Sequence, residues 1–147
     1  MRDVVIVDSV RTGLTKAFRG SFNLTRSDDM LAHCIDSLLD RNPNVGADEV
    51  EDVVVGAATH AGEQDGNIAR LAVVLSKLPV TAAGVSINRF CSSGLQAIAI
   101  AANQIASGQT EVAIAGGVDS ISMRTRQEPG KAKQNQRLLE EKPEIFM

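Results

Sequence analysis

The alternation of short β-branched apolar runs with helix-period stretches constrains this chain more than any other feature of it. Four runs are nearly continuously apolar: Val4 to Val7, Val53 to Val55, Gly84 to Ile87 and Val112 to Ala115. A strand that is wet on one face alternates apolar and polar residues, whereas one covered by helices on both faces reads as a continuous run. Such runs alternating with helical patterns signal βαβ units on a parallel sheet. The expected fold is therefore α/β in three layers, a largely parallel sheet with helices on both faces.

Three helices fit between these runs. Ser27 or Asp28 can cap the first, which runs to about Arg41 with Met30, Leu31, Cys34, Ile35, Leu38 and Leu39 recurring at three and four, before Asn42-Pro43 ends it. The second is expected from about Asn67 to Leu78, with Ile68, Leu71, Ala72 and Leu75 on its apolar face and Pro79 as its stop. The third starts at Ser92 or Ser93 and closes at Ser107-Gly108. It differs from the others. Leu95, Ile98, Ala99, Ala102 and Ile105 form one apolar face, Ala97, Ile100 and Ala101 form another, and no charge falls between Arg89 and Glu111. A helix apolar nearly all round is covered on all sides. One sheet covers only one of them, so a partner or further polypeptide is expected on the other.

The 147 residues suit one ordinary domain, and the 44% hydrophobic and 22% charged fractions are near globular averages. A net charge of −3 with no Trp and no Tyr removes the basic field and the stacking aromatics that a nucleic-acid binder uses. No apolar run reaches the roughly 18 to 20 residues that a membrane-spanning helix needs, and the opening Met1-Arg2-Asp3-Val4 lacks a secretory pattern. The expectation is a cytoplasmic protein with neither nucleic-acid nor membrane partners. After Ser122 the chain turns basic, with Arg124, Arg126, Lys131, Lys133 and Arg137 against Glu128, interrupted by Pro129-Gly130. That segment reads as a solvated tail or as an anion-contacting surface.

Cys91 is the first residue to examine for chemistry. It lies between the third run and the third helix, in Ile87-Asn88-Arg89-Phe90-Cys91-Ser92-Ser93-Gly94-Leu95. A cysteine at a helix N-terminus meets the positive end of the macrodipole and free backbone N–H groups, which favour thiolate and can receive an oxyanion. The small residues after it leave room for an acyl group, which fits covalent acyl transfer. Spacing alone leaves a structural cysteine equally open. Cys34, on the apolar face of the first helix, reads as core. His33 is helix-borne and His60 follows the second run in the crevice where open α/β sheets bind ligands, but neither is a convincing base for Cys91. Asp28-Asp29 reads as a helix start and Glu140-Glu141 as a solvated face. No Gly-x-Gly-x-x-Gly turn, P-loop or metal-ligand spacing is present, so no dinucleotide and no metal is expected.

Asn88-Arg89-Phe90-Cys91-Ser92-Ser93-Gly94-Leu95-Gln96-Ala97 resembles the nucleophile segment of the thiolases. Val5-Ile6-Val7-Asp8-Ser9-Val10-Arg11-Thr12, Gly62-Glu63-Gln64 with Gly66-Asn67-Ile68-Ala69-Arg70, and Ala115-Gly116-Gly117-Val118-Asp119-Ser120-Ile121-Ser122 resemble the family's opening strand, second-helix entry and fourth strand, in order and in register. Gly13 stands where the family usually has proline.

The resemblance implies an acetyl-CoA acyltransferase that cuts 3-oxoacyl-CoA with coenzyme A to acetyl-CoA and a shortened acyl-CoA. Cys91 would carry the acyl thioester, and its own N–H would be one oxyanion donor. Coenzyme A would enter as a substrate, with no permanently bound cofactor. The Glu63-Gln64 and Asn67-Ile68-Ala69-Arg70 pattern looks more like the β-oxidation enzymes than the acetoacetyl-CoA-forming branch, which remains an alternative beside a decarboxylating condensing enzyme and a non-catalytic interaction module. Homo-oligomers, and a β-oxidation multienzyme partner, are further implications. Thiolases are more than twice this length. Residues 1–122 are thus expected to be an N-terminal α/β domain lacking its last strand, and 123–147 an irregular start of the loop domain. The family's Gly-His-Pro, Cys-x-Gly and Asn-Glu-Ala-Phe motifs have no counterpart here, so the base and the second acid/base would lie beyond Met147.

Overall fold

The computed structural model describes residues 2–124 and 134–146. Its helices are α1 (Ser27–Arg41), α2 (Ile68–Leu75), α3 (Ser93–Ser107), α4 (Ile121–Arg124) and α5 (Gln136–Glu141), and its strands are β1 (Asp52–Gly56), β2 (Ala83–Ile87) and β3 (Ala113–Gly117). The strands form one parallel sheet in the order β2-β1-β3, with Val54 opposite Val85 on one side and Ala115 on the other.

Alternation along the central strand sets the layers. Val53 and Val55 face α1 and α2, in a cluster with Leu31, Ile35, Ile68, Ala69, Ala72 and Val73. Val54 faces the other way, onto Ala97 and Ala101 of α3, with Ile87, Ala113 and Ala115 beside it. Successive side chains of a strand point to opposite faces, so one continuous valine run serves both layers. The expected three-layer α/β architecture is present.

The first apolar run is a correction. Val4 to Val7 is not a strand, and Val5, Ile6 and Val7 are 75%, 79% and 73% exposed. A strand forms only as part of a ladder, and no described strand lies beside this run. The segment is held by polar ties instead. The Arg2 N–H donates to the Ala106 carbonyl at the end of α3, and Asp8 receives the Arg41 guanidinium and the Asn42 amide at the end of α1.

Helix boundaries follow local chemistry. Ser27 begins α1 rather than capping it, and its N–H and hydroxyl both donate to Glu63 Oε1 at 2.7 Å. A carboxylate from another part of the chain therefore serves the helix N-terminus. Asn67 caps α2 by accepting the Arg70 N–H, as its type favours. That helix stops at Leu75, short of Pro79, because Ser76 is extended, its hydroxyl donates to the Val73 carbonyl and the next N–H, of Lys77, donates to Asp36. Gly108, with φ of 77°, closes α3 in the left-handed conformation.

Arg126, Glu128, Pro129, Gly130, Lys131 and Lys133 of the basic segment lie outside the described residues. The part of 123–147 that follows them is not irregular throughout. Leu138 of α5 is 1% exposed and packs with Ala32, Val74 and Leu75, while the Asn135 amide donates to the buried Asp28 carboxylate at 2.9 Å. Arg137 meets Asp29 and the Leu75 carbonyl.

Candidate active site around Cys91

Three sheet-to-helix loops meet at the carboxyl ends of the strands, where open α/β sheets present their ligand crevice. The loop after β2 carries Cys91. Phe90 just before it has φ of 51°, in the left-handed region that a large side chain rarely enters and that costs on the order of 1–2 kcal/mol. The turn is pinned from both ends. Ser93 Oγ accepts the Arg89 N–H and donates to the Phe90 carbonyl, Ser92 Oγ donates to the Arg89 carbonyl, and Asn88 Oδ1 accepts the Phe90 N–H at 2.8 Å. Chain direction thus reverses within a few residues, and Cys91 stands exposed one residue before the cap of α3. A strained strand-to-helix turn is a means of lifting a nucleophile clear of the sheet.

What allows α3 to begin so close to the strands is the absence of side chains beneath it. A Cβ on Gly56 would come within 2.2 Å of the Ser93 carbonyl carbon, and one on Gly117 within 2.8 Å of the Gly56 oxygen and 3.1 Å of the Gly94 Cα. Main chain therefore lies on main chain at the ends of β1 and β3. Gly56, Gly94 and Gly117 line a shallow depression together with Phe90, Cys91, Ser93, Val118 and Asp119. A cysteine there, beside the positive end of a fifteen-residue helix, can attack a carbonyl, although the N–H groups of Ser92 and Ser93 already donate to the Arg89 and Phe90 carbonyls within the turn.

The other two loops are tied to this one by side chains. Asp119 accepts the N–H groups of Ala58 and Thr59 at 2.9 and 3.2 Å, and the Gln64 amide at 3.2 Å. Gln64, 1% exposed, also donates to the Thr59 carbonyl and accepts the Ser120 N–H. The Asn88 amide donates to the Ala58 carbonyl at 3.1 Å. Sequence reasoning placed Gln64 and Asp119 in motif segments without assigning them contacts. The signal available was their place after strands, in loops that must converge.

Of the other residues singled out from sequence, Cys34 is half-buried on α1. Burial pushes its thiol up, against a lowering hydrogen bond from the Thr12 backbone. It lines a gap between the N-terminal segment, α1 and strands β1 and β3, with Val10, Ile35, Val53 and Ile114 around it, and not the depression at Cys91. His33 is exposed on α1. His60 is partly buried with Nε2 unpartnered, and it too lies outside the lining of the Cys91 depression. The structure thus brings Cys91 to the crevice and neither histidine to Cys91. Among the described residues no group of His, Cys, Asp or Glu side chains could hold a metal, and no helix is long and apolar enough to cross a membrane.

Known proteins resemble this chain in sequence. The sequence profile described as "Thiolase, N-terminal domain" matches residues 4–147. A beta-ketoadipyl-CoA thiolase of Pseudomonas putida is 46% identical over 83% of the chain and 30% of its own length. A 3-oxoadipyl-CoA/3-oxo-5,6-dehydrosuberyl-CoA thiolase of Escherichia coli is 42% identical over 83% of the chain and 30% of its length. A 3-ketoacyl-CoA thiolase of Aliivibrio salmonicida is 41% identical over 82% of the chain and 31% of its length. The chain belongs to the thiolase family, as its N-terminal domain. It spans about three-tenths of the length of these curated relatives.

Proposed function

We propose that the chain supplies the nucleophilic part of a thiolase that cleaves 3-oxoacyl-CoA, with Cys91 as the residue acylated. The observation that carries this reading is the placement of an exposed cysteine, on a strained turn, directly before a long helix whose first turn rests on glycines. The Cys91 thiolate attacks the C3 carbonyl, and the Cys91 N–H, with the positive end of α3 behind it, stabilises the oxyanion. The C2–C3 bond then breaks, its electron pair going to C2, which takes a proton to give acetyl-CoA. The acyl group stays on sulfur until the thiolate of coenzyme A attacks it, releasing a shortened acyl-CoA and restoring Cys91.

The relatives' names, beta-ketoadipyl-CoA thiolase and 3-ketoacyl-CoA thiolase, support a 3-oxoacyl-CoA as the substrate class. Protonating C2 and deprotonating coenzyme A need groups that the described residues do not bring to Cys91, so the chain by itself takes an acyl group from acetyl-CoA without sustaining turnover. A homo-oligomer fits the uncovered side of α3, where Leu95 and Ile98 are 72% and 42% exposed.

The test is peptide mapping after incubation with acetyl-CoA. An acetyl thioester on Cys91, and none in Cys91→Ser, is the expected result. Sustained thiolysis of acetoacetyl-CoA by the chain alone would overturn the assignment of proton transfer to other groups.

A further inference from the structure

We infer that Asn88 and Asp119 are positioning residues, a pair of side chains that clamp the Ala58-Thr59 strap from opposite sides and so fix where the Cys91 turn stands. The inference rests on the reading of Cys91 as the nucleophile. The two residues come from loops after different strands, yet their hydrogen bonds converge on one short piece of backbone. Asp119 takes both N–H groups of the strap, at 2.9 and 3.2 Å, and Asn88 gives its amide to the Ala58 carbonyl at 3.1 Å. The other end of the Asn88 amide accepts the Phe90 N–H at 2.8 Å. One side chain thus joins the strap to the left-handed residue that immediately precedes Cys91.

A non-glycine residue in that conformation persists only where its surroundings over-determine it. The serines after the turn hold it from the helix side. Asn88 is the only side chain among the described residues that holds it from the sheet side by accepting the Phe90 N–H. Asp119 secures what Asn88 holds on to, with Gln64 behind it anchoring the strap to Ser120. Asn88 and Asp119 are both exposed, so neither carries core packing. Their loss should spare the fold and disturb the turn.

The test compares two reactions at Cys91 and the exchange of its neighbouring amides, in the wild-type chain and in Asn88→Ala, Asp119→Ala and Asp119→Glu. Alkylation by iodoacetamide needs an accessible thiolate, whereas acylation by acetyl-CoA needs the thiolate and oxyanion donors in register. A displacement of about 1 Å can cost about 100-fold in a step of the second kind. Both alanine variants should lower Cys91 acylation by between about 10-fold and 100-fold, with alkylation and thermal melting little changed. Asp119→Glu, which keeps a carboxylate, should recover part of the loss. Amide exchange at Phe90 and Cys91 should quicken in Asp119→Ala, although Asp119 touches neither amide. Unchanged exchange there, or acylation and alkylation that shift together, would overturn the clamp. A wild-type chain that takes no acyl group at Cys91 would sink the nucleophile reading alone, and the exchange measurement would still decide for or against the clamp.

Discussion

On the α1–α2 face of the sheet, Val53, Ile68, Ala69, Ala72 and Val73 are at most 1% exposed, whereas on the α3 face Leu95 keeps 72% and Ile98 42% of its surface open to solvent. Both layers are built from similar apolar residues on similar helices. The difference is that α1 and α2 cover each other as well as the sheet, while α3 has the sheet on one side and no described element on the other. Cys91 belongs to the second layer. Its turn draws rigidity from the strands and glycines beneath it and opens toward the side that the chain leaves bare. The proposed nucleophile thus has both a fixed support and an approach for substrate.

Matched truncations should make this contrast largest. Ile68→Ala, in the finished layer, should destabilise the chain by about 2–5 kcal/mol in urea unfolding, and Leu95→Ala, on the bare side, should stay within about 0.5 kcal/mol. Equal costs would mean that the two layers are equally complete. At the seam between them, Gly56→Ala forces a methyl into the Ser93 main chain, a 2.2 Å approach. It should cost roughly 1–3 kcal/mol and, by pushing the start of α3 away, slow acylation at Cys91 more than alkylation. A variant as stable and as reactive as wild type would show that main-chain contact there is dispensable.

The smallest effect concerns Glu63. Burial pushes its carboxyl above the usual range, opposed by the Ser27 hydroxyl and N–H and by the Arg26 charge. In the unfolded chain this group releases its proton near 4.5, while the folded chain still holds it. Glu63 therefore favours folding most below that pH, and its contribution falls as pH rises from there to the higher folded value, then levels off. Glu63→Gln keeps an acceptor for Ser27 and removes the titration. Its stability relative to wild type should rise across that window, and parallel pH profiles for the two chains would contradict the assignment.

Much of this architecture is legible in the sequence, because the signals that define it are local. The valine run of β1, the serines before α3 and Gly108 after it each act within a few residues. Val4 to Val7 carries the same β-branched signal and forms no strand, since a strand depends on a pairing neighbour and none of the described strands pairs with this run. The end of α2 at Leu75 is tertiary for the same reason, set by Asp36 receiving the Lys77 N–H. At the site, Cys91 stands out from residue type and its place before a helix. Asn88 and Asp119 do not, because their importance lies in a shared contact with Ala58, which only the folded chain creates. Leu138, in a segment read from its charges, is likewise found in the core only once α5 is seen against α2.

Cys91 is proposed as a nucleophile placed for acyl transfer, to which the described residues bring no proton-transfer partner. Intact-mass spectrometry of the chain with acetyl-CoA, followed over time and paired with peptide mapping, tests it most directly. A single acetyl group should accumulate on Cys91 and be absent from Cys91→Ser. Labelling that falls on Cys34, or that persists in Cys91→Ser, would contradict it.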